Sequence, residues 1–285
     1  MIKVRKIVMQ FCLSSAVLAA MPAAFAVEVT PATQHYMVKS LNIGDLPVKT
    51  IVPITAVTAE QAIAQAQVIA SNPNADVAEF RIDLLEFSAD TKKVILLGQQ
   101  LNQILQEKPL IATIRTHNEG GKMTVSDQDY EKIYREYLKK PFMQLLDIEM
   151  FRNAGSVAKL TKLAHDKKVL VIMSNHDFAK TPSQQDIENR LLQQDQMGAD
   201  ILKIAVMPTS TQDVFTLMNA TLAVSQKSQK PLLTMSMGQL GTISRVATAN
   251  MGGSLSFGMI GEASAPGQID VTQLKQLLKA VQPTP

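Results

Sequence analysis

The sequence predicts one α/β domain of the (β/α)8, or TIM-barrel, class, preceded by an export segment. Three observations predict it: eight short apolar runs recur, helix-patterned segments fill the gaps, and the spacing is regular. The runs are residues 48–54, 75–82, 110–115, 144–149, 169–174, 201–206, 232–236 and 254–258. Their starts lie 22 to 35 residues apart, near the roughly 30 residues of one βα unit. Runs apolar on both faces suit a parallel sheet covered by helices. A chain of 285 residues has room for one barrel of about 250.

Residues 1–26 are read separately. Lys3, Arg5 and Lys6 precede an apolar stretch over residues 7–20, and Ala24-Phe25-Ala26 follows. A basic start, a short apolar core and an A-x-A exit define a secretory signal peptide. The apolar stretch is short of the ~20 residues that a bilayer-spanning helix needs, so a transmembrane anchor is the weaker reading. Cleavage after Ala26 leaves residues 27–285 as one periplasmic catalytic domain with no stable membrane anchor. The one cysteine, Cys12, lies in this segment. A single thiol excludes an intramolecular disulfide, a cysteine zinc site and a CxxC pair.

Residues 33–46 alternate apolar and polar and contain Gly44-Asp45. They predict a hairpin that closes one end of the barrel. Helical spacing follows over 58–71, 91–106, 126–138, 156–166, 183–197, 211–227 and 271–281. Thr58 with Gln61, Ser126 with Asp129 and Ser183 with Asp186 supply N-caps. An open doubly wound sheet is the competing architecture. It ordinarily carries a glycine-rich turn after its first strand, whereas Pro53-Ile54-Thr55-Ala56-Val57-Thr58 contains no glycine. No G-x-G-x-x-G, P-loop, G-x-S-x-G or HExxH pattern occurs.

The formal charge of +3 comes from Lys3, Arg5 and Lys6, and without them 25 basic residues balance 25 acidic ones. No basic patch with interleaved aromatics points to nucleic acid.

In a barrel of this class, chemistry sits at the C-terminal ends of the strands. The second run ends with Glu79, Arg81 and Asp83 on one side of the alternation. These residues form either a structural ladder inside the barrel or a binding face. The third ends at Arg115, followed by Glu119-Gly120-Gly121, whose diglycine makes a mobile loop. The fourth ends Asp147-Ile148-Glu149. His176 lies just past the fifth, where an imidazole suits proton transfer near neutral pH. The sixth buries Lys203 among apolar residues. Such a lysine either loses its proton and becomes a Schiff-base nucleophile or is neutralised by Asp147 or Glu149. Arg245 offers a fork for a carboxylate. Ser264 and Gln268 offer hydroxyl and amide groups in a loop after the last strand. His35, His117 and His165 receive no role, His165 being read as a solvated helix residue.

Together these residues resemble type I 3-dehydroquinate dehydratase. The similarity rests on Glu79-Phe-Arg81-Ile-Asp83, Arg115 with Glu119-Gly-Gly, Asp147-Ile-Glu149, Met173-Ser-Asn-His176-Asp-Phe and Lys203-Ile-Ala-Val-Met-Pro208. It continues in Thr234-Met-Ser-Met237, Ile243-Ser-Arg245 and Ala263-Ser-Ala-Pro-Gly-Gln268. The resemblance implies a homodimeric barrel that converts 3-dehydroquinate to 3-dehydroshikimate without metal or cofactor. It implies an imine on Lys203, His176 as general acid and base, and Glu119 orienting that histidine. It gives Arg245 the substrate carboxylate, and Glu79, Arg81, Arg115, Ser264 and Gln268 the surrounding polar shell. Two positions depart from the family pattern: Pro53 where a serine is common, and Gly261-Glu262 where a lysine often precedes the Ala-Ser pair.

Two other readings compete. A Schiff-base aldolase would also use Lys203 but needs a phosphate cradle after the last two strands; Gly252-Gly253 precede the last strand. A solute-binding protein needs two lobes, for which eight even units leave no room. An exported copy of such a dehydratase suits catabolism of extracellular quinate.

Overall fold

The computed structural model describes residues 32–283; the predicted signal segment lies outside them. A short antiparallel hairpin, β1 (Tyr36–Val38) and β2 (Leu41–Ile43), comes first. Eight parallel strands follow: β3 (Lys49–Ile54), β4 (Val77–Arg81), β5 (Leu110–Thr113), β6 (Leu145–Glu149), β7 (Leu170–Asp177), β8 (Ile201–Val206), β9 (Leu232–Ser236) and β10 (Leu255–Phe257). They run in chain order from β3 to β9, and β10 returns to pair with β3. A Leu232–Gly253 bridge, with the Ser254 N–H donating to the Leu232 carbonyl, closes the ring between β9 and β10.

The helices are α1 (Ala59–Ser71), α2 (Thr91–Leu105), α3 (Asp127–Lys139), α4 (Ala154–Asp166), α5 (Gln184–Gln196), α6 (Thr211–Ser225), α7 (Thr242–Val246) and α8 (Val271–Val281). Thr58, Ser126 and Ser183 cap α1, α3 and α5 through the N–H groups of Gln61, Asp129 and Asp186, as their spacing predicts. Helix α7 was not predicted. It is one short turn without a side-chain cap and leaves little periodicity to read.

Two apolar layers hold the barrel. Val52, Phe80, Ala112, Leu146, Val171 and Leu202 face outward into the helix layer. Ile51, Val77, Ile111, Leu145, Ile172, Ile201 and Leu233 fill the interior, with hairpin residues Val38 and Ile43 packed against them. The hairpin therefore plugs the barrel at the N-terminal ends of its strands. Lys49 ties it down, donating from its ammonium to the carbonyls of Asp45 and Pro47. The interior layer at that end is apolar, and the charged cluster that lines a cavity lies at the opposite mouth.

One expectation needs correction. His176 lies within β7, opposite Ala205 of β8, because the β7–β8 ladder runs on to Asp177 and Val206. His165 is an exposed residue of α4, as expected, and its Nε2 also lies 2.9 Å from Asp200 Oδ2.

Candidate active site

Glu79, Arg81, Arg115, Glu119, His176, Lys203, Arg245, Ser264 and Gln268 line one cavity at the C-terminal mouth of the barrel. With Asp83, Asp147 and Glu149 beside them, five carboxyls and four strong cations converge where most side chains are buried. Charges out of water persist only when each finds a partner.

Arg115 is the hub. It follows β5, and its guanidinium donates to Asp147 Oδ1 at 2.7 Å, Glu149 Oε1 at 2.9 Å, Ser174 Oγ at 3.0 Å and Glu119 Oε2 at 3.3 Å. Asp147 also accepts from Lys203 Nζ at 2.8 Å. Burial pushes the Asp147 carboxyl up, but Arg115 and Lys203 outweigh it and hold the group at about 2. Lys203 is thus ion-paired with Asp147, with Glu79 Oε1 3.7 Å away and the Phe257 ring 4.9 Å away. Of the two partners open from the sequence, Asp147 is the one found. Glu149 serves Arg115 and Thr116 instead. The register of β6, β7 and β8 brings a carboxylate to the amine, which is the second of the two readings that the sequence left open.

Helix α3 fixes this arrangement from outside. The Tyr134 hydroxyl accepts the Ile114 N–H and donates to the Asp147 carbonyl; the Tyr130 hydroxyl accepts the Glu149 N–H. Both tyrosines are fully buried and hold strand ends that carry site residues.

The Glu79-Arg81-Asp83 run divides. Arg81 forms a two-point pair with Asp83 at 2.8 and 2.9 Å, whereas Glu79 accepts from Thr113 and faces Lys203. Asp83 also accepts the backbone N–H groups of Arg115 and Lys122, tying down both ends of the 116–121 loop. That loop is tight: the Gly121 N–H reaches the Thr116 carbonyl at 2.8 Å.

The loop delivers Glu119 to His176, with Oε2 2.9 Å from Nδ1. Burial, followed by the cations Arg115, Lys203 and Arg81, holds the imidazole well below its usual 6.5. Burial also pushes Glu119 up to about 8, opposed by Arg115 and reinforced by Glu149. Five carboxyls against four cations balance when one carboxyl keeps a proton, and Glu119 is the one raised. The two directions favour a protonated Glu119 beside a neutral imidazole, sharing one hydrogen bond. The Phe178 ring stacks beside His176 and lies over Gly120.

Arg245 is buried and has no carboxylate partner. Its Nη2 donates to the Pro266 carbonyl at 3.2 Å, while Nε and Nη1 have no acceptor. Burial pushes the guanidinium down to about 10. Two unused charged donors at a cavity wall specify an anion, and their fork geometry suits a carboxylate. Ser264 and Gln268 bond to each other and close the same side. Pro53 is buried opposite Glu79. Gly261 and Glu262 are exposed and do not line the cavity.

Sequence reading missed the hub role of Arg115, the tether at Asp83 and the helix-borne tyrosines. The charged strand ends signalled the first two. The tyrosines gave only the periodicity of an apolar helix face.

A barrel mouth that joins a lysine, a histidine–carboxylate pair and an uncommitted arginine defines a lyase-type enzyme acting on a small anion. The comparisons are specific. The family of type I 3-dehydroquinase matches residues 50–285. A catabolic 3-dehydroquinate dehydratase of Acinetobacter baylyi is 79% identical over 263 residues, covering 92% of this chain and 97% of the relative. The 3-dehydroquinate dehydratase of Enterococcus faecalis is 43% identical, covering 85% and 96%. The Clostridium difficile type I enzyme, solved with covalently modified comenic acid, superposes with a TM-score of 0.84 at 34% identity, covering 87% and 98%. The chain belongs to the type I 3-dehydroquinase family and is a hydro-lyase.

Proposed function

We propose that this enzyme dehydrates 3-dehydroquinate to 3-dehydroshikimate through an imine on Lys203, in the catabolism of quinate outside the cytoplasm. The observation that carries the chemistry is the placement of Lys203 Nζ in one cavity with His176 and the two free donors of Arg245. The relatives' names support the substrate, and the covalent ligand of the Clostridium difficile enzyme supports covalent chemistry in this fold.

Arg245 takes the substrate carboxylate and fixes the ring. The Lys203 amine, having passed its proton to His176, adds to the C3 carbonyl carbon. His176 returns that proton to the departing carbinolamine hydroxyl, so that water leaves, the protonated imine forms and the imidazole is neutral again. The protonated imine withdraws electrons from C2. His176 then takes the C2 proton, and the electron pair moves toward the imine nitrogen. Its return expels the C1 hydroxyl, which His176 protonates, so a C1–C2 double bond forms and one water leaves. Hydrolysis of the imine consumes the first water and restores the lysine. Asp147 stabilises the nitrogen whenever it is positive, at 2.8 Å in the free enzyme.

Borohydride reduction with 3-dehydroquinate, followed by peptide mapping, tests this reading. It expects a stable adduct on Lys203, absent from Lys203→Ala; no adduct, or equal trapping of aldol substrates, sinks it.

The export role rests on residues 1–26 and on the catabolic relative. Fractionation of cells carrying the full chain checks it, with activity confined to the cytoplasm as the contrary result. A homodimer is part of the same proposal, supported by exposed apolar side chains at Phe215, Leu240 and Ile243. Sedimentation of the purified enzyme decides between monomer and dimer.

A further inference from the structure

Helix α5 carries one glutamine that its packing does not call for. Gln194 is fully buried on the face where Ile187 and Leu191 pack. An apolar side chain would fill that space without the cost of burying an amide. The amide is instead committed to one residue. Gln194 Oε1 accepts the Lys203 backbone N–H at 2.9 Å, and Gln194 Nε2 donates to the Lys203 carbonyl at 2.9 Å. Nε2 also lies 3.4 Å from Met150 Sδ, one residue past Glu149 at the end of β6.

We propose that Gln194 is a positioning residue for the reaction. Its amide clamps the peptide groups on both sides of Lys203 and so fixes the base from which the amine reaches the substrate carbonyl. The inference rests on the imine reading above. A lysine side chain has several freely rotating bonds, so Nζ is aimed only as well as its Cα is held. The amide meets Met150 as well as Lys203, so it also links β8 to the residue that follows β6, the strand that carries Asp147. Misplacement of a reacting group by about 1 Å costs on the order of a hundredfold in rate. A loosened backbone should therefore slow imine formation while leaving the Arg245 carboxylate site intact.

The test uses the full-length enzyme and two variants, Gln194→Met and Gln194→Glu. Methionine keeps the shape and loses both bonds. A glutamic acid in this buried setting keeps its proton to higher pH, and the protonated form restores one donor and one acceptor. The proposal expects kcat of Q194M to fall at least about tenfold with KM within about threefold. The rate of borohydride-trappable adduct formation should fall by the same factor. The kcat of Q194E, taken relative to wild type at each pH, should rise as pH falls. A folded Q194M with kcat within about twofold of wild type overturns the proposal. So does a Q194E ratio that stays flat with pH. Failure of both variants to fold assigns the amide to the fold alone and also overturns it. Wild type run in parallel separates the two ideas. No adduct in wild type sinks the imine reading, whereas wild-type trapping rates in Q194M sink only the clamp.

Discussion

Glu119 holds His176 at two points: its Oε2 lies 2.9 Å from the ring Nδ1 and accepts the residue's backbone N–H at 3.0 Å. One carboxyl oxygen therefore sets both where the ring sits and how it points. Asn175, next to it in β7, donates to the other oxygen at 3.3 Å.

The first prediction follows from that contact. Glu119 is raised to about 8 from an unfolded value near 4.3. A raised folded value contributes stability that is full below about pH 4.3 and is lost as pH rises through about 8. Glu119→Gln lacks this dependence. Its melting temperature relative to wild type should climb steadily from pH 5 to 8, and kcat should fall about ten- to a hundredfold. The wild-type profile of kcat/KM against pH should show a limb near 8 that the variant loses. Parallel melting curves for the two proteins across that range would sink the assignment.

Asp147 has the opposite sign. Burial alone would raise it, but Arg115 and Lys203 hold it at about 2, below an unfolded value near 3.9. Its contribution is present above about pH 3.9 and disappears as pH falls toward 2. Asp147→Asn leaves two buried cations short of a partner and should cost about 3–5 kcal/mol at pH 7. Urea unfolding measures that loss, and acid titration of the variant should be flatter between pH 4 and 2. A midpoint equal to wild type at pH 7 contradicts the hub.

Arg245 trades stability for binding. Two of its charged donors are buried without acceptors, which costs on the order of 1–3 kcal/mol. Arg245→Met should therefore melt higher than wild type in the absence of ligand. Its KM should rise about thirtyfold or more, the worth of a buried charged pair of about 2 kcal/mol or above. Small carboxylates should raise the melting temperature of wild type and leave the variant unmoved. A variant that melts lower and binds normally would return Arg245 to a structural role.

The barrel was legible because its signal is periodic. Eight runs such as 201–206 are apolar on both faces, and a parallel sheet covered by helices demands that pattern. The site was legible because charges such as Glu79, Arg115 and Lys203 interrupt apolar runs where burial is costly. Which charge meets which was not legible. Choosing Asp147 over Glu149 as the partner of Lys203 depends on strand register and side-chain reach, with Ser174 opposite Lys203 on β8 and opposite Glu149 on β6. Gln194 was silent for a related reason: a glutamine near the end of a helix is ordinary until its amide is seen to face a strand backbone.

The last prediction concerns the loop that delivers Glu119. A Cβ on Gly121 would stand 1.9 Å from the Arg115 carbonyl oxygen, closer than any real contact. That carbonyl belongs to the residue whose guanidinium organises the site, and its N–H is tied to Asp83, so it has little freedom to retreat. Gly121→Ala should push the loop outward and break the Gly121–Thr116 hydrogen bond. Glu119 would then draw away from His176 and meet water, where its carboxyl returns toward ordinary values. The variant should lose about ten- to a hundredfold in kcat/KM, and the limb near pH 8 should move to lower pH. The interior core is untouched, so global stability should fall by only about 1–3 kcal/mol. Steady-state kinetics across pH, with urea unfolding of the same preparation, separates the two effects. Wild-type kcat/KM in a folded G121A would show that the loop need not pack this closely for Glu119 to reach its histidine.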